Sequence, residues 1–237
     1  MATTYPIKFP GAGDEGIRVT TSGDRRVTTS GDVRVTAAGL STPIKPETFS
    51  IDYQSSIGQT QSIYNYSQQV TDNTGRLWGI SVGMPRLDRE LATPFISFLS
   101  KLEGRKGTFT MFIPGAEEPQ GNVSGDVQVN GGSQTGTSIS LKGFAANTAN
   151  AFVAGDYIQI GSGSTTRLHQ VVKNVSSDAS GQLTAEIRPA LRTSPADSAT
   201  VKTSNVMGLF RLSANNTGHG VSSPNFYDIS FSAIEAL

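Results

Sequence analysis

The chain has 237 residues, of which 36% are hydrophobic and 16% charged, with 26 glycines, 11 prolines and no cysteine. Its low charge and many turn-forming residues favour β-strands over a helix bundle, in one large domain or two small ones. The 19 basic and 19 acidic residues balance, so net charge predicts no binding to nucleic acid or to an anionic membrane. The lack of cysteine excludes disulfides, thiolate chemistry and cysteine-ligated zinc.

The first 40 residues are expected to form an extended arm. Residues 1–16 are rich in Gly and Pro and show no signal peptide, and no apolar run in the chain is long enough to span a membrane. An eight-residue repeat follows, with RVTTSGDR at 18–25, RVTTSGDV at 26–33 and RVTAAG at 34–39. Two interpretations stay open: an arm that adds a strand to a neighbouring subunit, or a polar leader whose repetition is accidental.

Residues 41–74 predict two strands. The first, TFSIDYQSSI, has large side chains of one parity at Phe49, Ile51, Tyr53 and Ile57. The second, QSIYNYSQQV, has Tyr64, Tyr66 and Val70 on one face. The cluster TDNTG at 71–75 has turn-forming composition, so a turn is expected there, before the next strand.

Residues 75–114 predict a strand, a helix and a second strand. The first strand has an apolar face made of Trp78, Ile80, Val82 and Met84. Thr93 and Pro94 predict the helix start, with Thr93 as the N-cap, and Gly104 predicts its end. Helical spacing puts Phe95, Phe98, Leu99 and Leu102 on one side. The second strand alternates at Phe109, Met111 and Ile113.

Residues 115–206 differ in composition from the segments before and after them. Short predicted strands at 138–141, 156–160, 168–175 and 183–187 are separated by turn clusters at 161–164 and 176–181. This spacing is typical of a small antiparallel barrel or sandwich. The closing segment alternates again at Tyr227, Ile229, Phe231 and Ala233. We therefore expect a sheet domain formed by residues 41–114 and 207–237, with residues 115–206 inserted as a second β-domain.

Two histidines are the only ones in the chain, and neither belongs to a recognisable site. His169 has the parity of Val171 and Val175 in a predicted strand, and His219 lies in a predicted loop. Neither has acidic or histidine partners at metal-ligand spacing, so structural or surface roles are favoured. The glycine-rich segments at 11–13 and 161–164 precede no helix, which favours turns over a phosphate-binding loop or a nucleophile elbow.

Charged residues near the predicted helix have simple structural interpretations. Asp88 and Glu90 lie beside Arg86 and Arg89, which favours a solvated ion-pair cluster or the cap of an early helical turn over a catalytic acid pair.

Further along the chain, Arg105 and Lys106 follow the helix, where they either complement the helix dipole, the favoured interpretation, or face an acidic neighbour. Arg211 points away from Phe210 and Leu212 and is a candidate for pairing with an acidic residue at a subunit boundary.

Aromatic residues offer one alternative function. One interpretation is a sugar-binding platform made of Trp78, Tyr53, Tyr64, Tyr66 and Tyr227, but the parity of Trp78 favours the core. A cell-wall hydrolase would need a carboxylate pair or a metal cluster, which the sequence does not clearly offer. The sequence therefore predicts no catalytic, cofactor-binding or metal-binding residues, and a protein that is not an enzyme.

Three segments resemble the distal tail proteins and related minor tail proteins of long-tailed bacteriophages. They are RLWGISVGMP, TPFISFLSKLEGRKGTFTMFIP and the closing NFYDISFSAIEA. The helix followed by Gly-Arg-Lys-Gly and an aromatic strand is the most specific of these features. AGDYIQIG and VVKNVSSDASGQLTAEIRPALR also look like the β-module that such proteins carry as an insertion.

The resemblance implies a mainly-β fold: a tail-tube-like β-sandwich with one short α-helix and an inserted small antiparallel barrel or sandwich. It implies a virion structural protein made in the host cytoplasm, forming a ring at the distal tail end, within the baseplate region, between the tail tube and the adhesion hub. Expected partners are copies of itself, typically in a hexamer, and those flanking tail proteins. The alternative is a carbohydrate- or receptor-binding module, with host glycan contact by residues 115–206; a tail-tube position also stays open.

Overall fold

The computed structural model describes residues 7–8, 45–222 and 225–237. These residues form a mainly-β structure with one α-helix, which confirms the predicted fold class. The strands in chain order are β1 (Ile7–Lys8), β2 (Thr48–Gln61), β3 (Gln68–Gly83), β4 (Phe109–Phe112), β5 (Gln128–Val129), β6 (Gly136–Lys142), β7 (Tyr157–Ile160), β8 (Arg167–Val171), β9 (Gln182–Leu191), β10 (Val201–Lys202), β11 (Met207–Leu212), β12 (His219–Ser222) and β13 (Phe226–Glu235). The repeat at 18–39 and the glycines at 11–13 lie outside the described residues.

The strands of the first sheet come from the two ends of the described chain. Their order is β1-β4-β11-β13-β3-β2, and β12 pairs with β13 beside this path. Neighbours are antiparallel except β1 and β4, which run parallel with Ile7 opposite Phe109. All strands of the second sheet lie between β4 and β11, so the change of sheet falls where the sequence places the insertion. The division into domains itself stays a prediction.

The second sheet curls into a nearly closed barrel. Its order is β10-β7-β8-β9-β6-β5, and the two end strands meet through a bridge between Gln128 and Thr200. The amide of Val201 donates to the carbonyl of Val127 at 2.9 Å, next to that bridge. Closure removes exposed strand edges. The interior is filled by side chains that are fully buried: Val129, Ile139, Leu141, Ile158, Val171, Ala185 and Ile187.

One face of the first sheet forms the larger core. The pairing places Ala233 opposite Ile80 and Phe210 opposite Phe109, so these side chains share a face. The helix α1 (Arg89–Lys101) covers that face with Phe95, Phe98 and Leu99. The predicted apolar strand residues are all buried there: Trp78, Ile80, Val82, Met84, Phe109, Met111 and Ile113.

The helix begins earlier than the sequence predicts. Its N-cap is Asp88, whose Oδ1 accepts a hydrogen bond from the amide of Leu91 at 3.0 Å, so the N-cap assigned to Thr93 is wrong. Thr93 instead donates its hydroxyl to the carbonyl of Arg89 at 2.7 Å. Pro94 lies inside the helix, so the carbonyl of Glu90 receives no hydrogen bond from the backbone of residue 94. The favoured interpretation of Asp88 as an early cap is confirmed.

The helix ends close to the predicted stop. Its last residue is Lys101, and Gly104 follows with φ +65, in the left-handed conformation that favours glycine. A single 3-10 turn over Gly104–Lys106 then leads toward β4.

The β2–β3 hairpin corrects two predictions. Residues 62–67 form its turn, so the strand predicted at 61–70 does not begin until Gln68. The predicted turn TDNTG lies within β3 instead, where the pairing shifts between Ser55 and Ile57. Thr74 has φ +59, and Asp72 accepts a hydrogen bond from its amide at 2.8 Å. The turn-forming residues at 71–75 thus produce a bulge and not a chain reversal, because the flanking residues on both sides continue to pair with β2.

The barrel and the first sheet are joined by buried polar contacts. The indole Nε1 of Trp78 donates to the carbonyl of Leu168 at 3.0 Å, and the amide of Met207 donates to Oε1 of Gln159 at 2.9 Å. The side chain of Leu168 belongs to the core of the first sheet, although its strand belongs to the barrel. These contacts fix the barrel against the sheet.

Candidate functional site

Within the described part of the chain, the strand β2 is an open edge of the first sheet. It runs for 14 residues and, among the described residues, pairs on one side only, with β3. Nearly all of its side chains are exposed from Asp52 to Gln61. Its unpaired side presents a row of backbone donors and acceptors, which is a template for pairing with another strand.

Beyond the sheet, β2 and β3 continue as a two-stranded ribbon, defined here as residues 54–76. The strand β13 supports β3 only from Gly79 to Gly83. Past that point the two strands pair with each other up to Gln61 opposite Gln68, and most of their side chains on both faces are exposed. An isolated two-stranded hairpin is only marginally stable in water, so this ribbon is a feature that packing against another surface would stabilise.

The ribbon is uncharged over most of its length. Residues 53–71, between Asp52 and Asp72, contain no Asp, Glu, Lys, Arg or His. Its large exposed side chains have the following exposed fractions: Ile57 50%, Ile63 80%, Tyr64 92%, Tyr66 74% and Val70 61%. Depletion of charge together with enrichment in tyrosine is the composition of protein–protein interface cores. Edge strands that avoid pairing usually carry lysines or prolines, which are absent from this segment.

At the other end of the same strands lies an uncharged groove. Its volume is about 440 Å³, and its walls come from β2, β3 and β13. The hydroxyls of Ser81 and Ser232 lie 3.1 Å apart on its floor. The lining residues are Thr48, Phe49, Ser50, Ser81, Val82, Gly83, Ser230, Phe231 and Ser232. This surface, called the serine groove below, is polar through hydroxyl groups alone.

A second groove, of about 490 Å³, lies between the bulge and the barrel and contains three arginines. Each guanidinium already has an acidic partner: Arg76 pairs with Asp72, Arg188 with Glu186 and Arg192 with Glu235. Burial raises the pKa of the nearby Tyr53 phenol, and these three arginines oppose that rise. Because each of these three arginines pairs with an acidic residue of the same chain, the groove has no surplus positive charge for binding an anion.

The two histidines have structural surroundings. His169 is buried, with Nδ1 lying 2.8 Å from the carbonyl oxygen of Pro189, and burial lowers the pKa of its ring to about 4. His219 was predicted in a loop, but it lies in β12, where its exposed ring stacks on Tyr227 with centroids 5.6 Å apart. The prediction was wrong because the Gly-rich neighbours of His219 pair with β13.

The charged residues near the helix contact groups within the chain. Arg86 lies 3.7 Å from Asp228, and Nε of Arg105 donates to the carbonyl of Ser213 at 2.7 Å. Lys106 forms an ion pair with Glu103. Arg211 is half-buried on the face opposite Phe210, and its pairing across a subunit boundary stays a prediction. In the described ranges, no three His, Asp or Glu side chains come together as metal ligands would.

The structure does not bring the predicted aromatic platform together. Trp78 is only 3% exposed, and Tyr53 packs on its edge with ring centroids 5.1 Å apart. Tyr64 and Tyr66 lie at the ribbon turn, and Tyr227 lies beside His219. The aromatic side chains of residues 115–206 are buried or half-buried: Phe144, Phe152 and Tyr157.

Comparisons with known proteins add no identification. No protein-family model matches the chain, and no curated protein matches it significantly. None of the helices in the described part of the chain has the length and apolar character needed to cross a bilayer.

Proposed function

We propose that the protein is a non-enzymatic structural subunit of a bacteriophage tail that assembles with copies of itself into a ring. The observation that carries this proposal is the open edge strand β2. The tail, and the position at its distal end between the tail tube and the adhesion hub, come from the resemblance of the strand–helix–strand segment and the closing strand.

The β2 edge supports assembly because it has almost none of the residues that prevent strand pairing. Of the 14 residues of β2, only Asp52 is charged, and the strand contains no lysine or proline. A long, exposed edge of this kind pairs readily with a strand of another chain. A regular contact between the β2 edge of one copy and a different surface of the next is heterologous, and such contacts form a ring when the rotation closes.

The barrel supports the same proposal by having no comparable edge. Its end strands meet through Gln128 and Thr200, so lateral pairing is left to the first sheet. The contacts of Trp78 and Gln159 hold the barrel in one orientation against that sheet. In a ring, each barrel would then occupy an equivalent position. Contact of the barrel with host glycans stays a prediction. The barrel shows no fully exposed aromatic ring on which a sugar would stack.

Electron microscopy of the purified protein tests ring formation. We expect rings of uniform diameter, with six-fold symmetry, for the natural chain. Gln54→Lys places a charge on the exposed edge and is expected to abolish the rings while leaving the fold intact, as judged by circular dichroism. Ser180→Lys, in an exposed turn of the barrel, is the matched control and should leave the rings unchanged. Rings that persist in Gln54→Lys would contradict the role of this edge.

The tail position has a separate test. Gold-labelled antibodies against residues 115–206 should mark the tip of tails in phage particles that contain this protein. Labelling along the whole tail would instead assign it to the tail tube, and particles without label would contradict a virion role.

A further inference from the structure

We infer that Asp52 of one copy forms an ion pair with Arg211 of the next copy where the two copies meet. This inference rests on the proposed self-assembly through the β2 edge, and it names the surface of the next copy that the edge contacts. That surface is the side of the first sheet away from β2, where Arg211 lies in β11.

The two residues lie in one row of the sheet and on the same face. Asp52 pairs with Gly79, which pairs on its other side with Ile234. Ile234 in turn pairs with Arg211. Directly opposite residues of antiparallel strands point to one face, so both charges lie on the face away from the core, called the outer face below. Three strand spacings of about 4.8 Å put their Cα atoms about 14 Å apart, too far for an ion pair within one chain.

The outer face carries little charge besides these two residues. The hydroxyls of the serine groove lie on it. Asp228 is on the same face, and its carboxylate lies 3.7 Å from Arg86. Within the described ranges, Asp52 and Arg211 have no charged partner, although Arg211 is half-buried. A half-buried charge is stabilised by a partner of opposite sign, and a second copy of the chain supplies one.

The side of the sheet at Arg211 is open to a neighbouring strand. The pairing of β4 with β11 ends at Phe210, so Arg211 is the first residue beyond it. The next strand on this side is β12, because the other side of β13 is taken where Leu87 and Tyr227 exchange hydrogen bonds of 3.2 and 2.7 Å. Between the ends of β4 and β12, no strand in the described part of the chain covers this side of the sheet.

The placement of the two charges makes the contact heterologous. Asp52 lies on the β2 side of the sheet, and Arg211 lies on the opposite side of β13. A contact through the β2 edge therefore leaves Arg211 of the same copy facing away from that partner. A reciprocal two-fold contact would need both sides of one sheet to face one partner, which strands lying side by side do not allow. A head-to-tail contact of this kind forms a ring when the rotation closes.

Charge reversal tests the inference. Asp52→Arg and Arg211→Asp are prepared separately, and light scattering measures the mass of each variant alone and of an equal mixture. Each variant alone places like charges opposite each other, so the concentration needed for assembly should rise at least about tenfold. When the two variants alternate in the mixture, every contact again joins opposite charges. We therefore expect the mixture to assemble at the concentration where the natural chain assembles.

A third variant controls for the change of charge itself. Lys173→Asp reverses an exposed charge in a bend of the barrel and should assemble like the natural chain. Circular dichroism establishes that each variant is folded. Recovery in the mixture is a second check, because a misfolded variant could not restore assembly.

The outcomes separate this inference from the proposed ring. Assembly of Arg211→Asp at the concentration of the natural chain would overturn the ion pair and leave the ring standing. A mixture of folded variants that remains as single chains would also overturn the ion pair. A natural chain that forms only two-chain species would contradict the head-to-tail contact and the ring, and one that stays single at every concentration would overturn both proposals.

Discussion

Arg192 of the barrel segment and Glu235 of the first sheet form a two-pronged ion pair, with N–O distances of 2.8 and 3.1 Å. The Glu235 side chain is only 4% exposed, and it also accepts a hydrogen bond from the amide of Trp78 at 3.2 Å. Arg192 donates in addition to the carbonyl of Arg76. One carboxylate therefore links the last strand of the chain, the neighbouring strand β3 and the barrel.

Removal of Arg192 is expected to destabilise the fold strongly. Arg192→Met leaves the carboxylate of Glu235 buried without a cation, which costs about 3 kcal/mol of unfolding free energy. Lys45→Met, which breaks the exposed pair with Glu117, should cost less than about 1 kcal/mol. Urea titration of both variants measures the difference. A cost for Arg192→Met no greater than that for Lys45→Met would show that the pair does not stabilise the joint.

Truncation of Trp78 tests the larger core. Trp78→Ala removes a side chain that is 3% exposed and should cost about 3–5 kcal/mol of unfolding free energy. Trp78→Phe keeps most of the volume but leaves the carbonyl of Leu168 without its indole donor, at a cost of about 1–3 kcal/mol. Denaturant unfolding checks both values. A loss within about 0.5 kcal/mol for Trp78→Ala would mean that the side chain is exposed.

The helix start has its own test. Asp88→Ala removes the acceptor for the amide of Leu91 and should cost about 1 kcal/mol, with Asp88→Asn restoring most of it. Thr93→Ala is the comparison, since Thr93 lies inside the helix, and should cost clearly less. Thermal unfolding ranks the three variants. A larger loss for Thr93→Ala than for Asp88→Ala would move the N-cap back to Thr93.

Local patterns in the sequence predict most of this fold. Period-two alternation finds β3 through Trp78 and Ile80 and finds β4 through Phe109, because each strand has one face against the core. Turn clusters correctly separate the barrel strands. The helix start is missed because two capping signals compete, and the choice between Asp88 and Thr93 depends on where the chain leaves β3.

Long-range features are beyond such patterns. The TDNTG cluster has the chemistry of a turn, and only the pairing of residues on both sides with β2 makes it a bulge. The pairing of Arg192 with Glu235 joins the residue that follows β9 to a residue of the first sheet, which no spacing rule indicates. The ribbon is different, because its sequence does indicate it. The charge-free run of residues 53–71 in a chain with 16% charged residues is unusual for a solvent-exposed segment.

Protonation of His169 should make stability depend on pH. Burial lowers the pKa of this ring from 6.5 to about 4, so the folded state keeps the ring neutral while the unfolded state takes up a proton. Above pH 6.5 the ring is neutral in both states and contributes nothing to the pH dependence of stability. As pH falls from 6.5 to about 4, the folded state loses about 3 kcal/mol of stability relative to the unfolded state.

The comparison of His169→Gln with the natural chain isolates this effect. Urea midpoints measured between pH 7 and pH 4 should fall less steeply for His169→Gln, because this variant lacks the ring that takes up a proton on unfolding. The acidic residues are common to both proteins, so their contribution cancels in the comparison. Parallel pH profiles would show that the ring is not held neutral by the fold.

The mass of the purified full-length protein, measured by light scattering over a range of concentrations, tests the central claim most directly. Ring formation through the β2 edge, with the six copies that the resemblance implies, predicts a discrete species with six times the mass of the 25.0 kDa chain, at concentrations where Gln54→Lys remains a single chain. A mass of one chain at every concentration would contradict it.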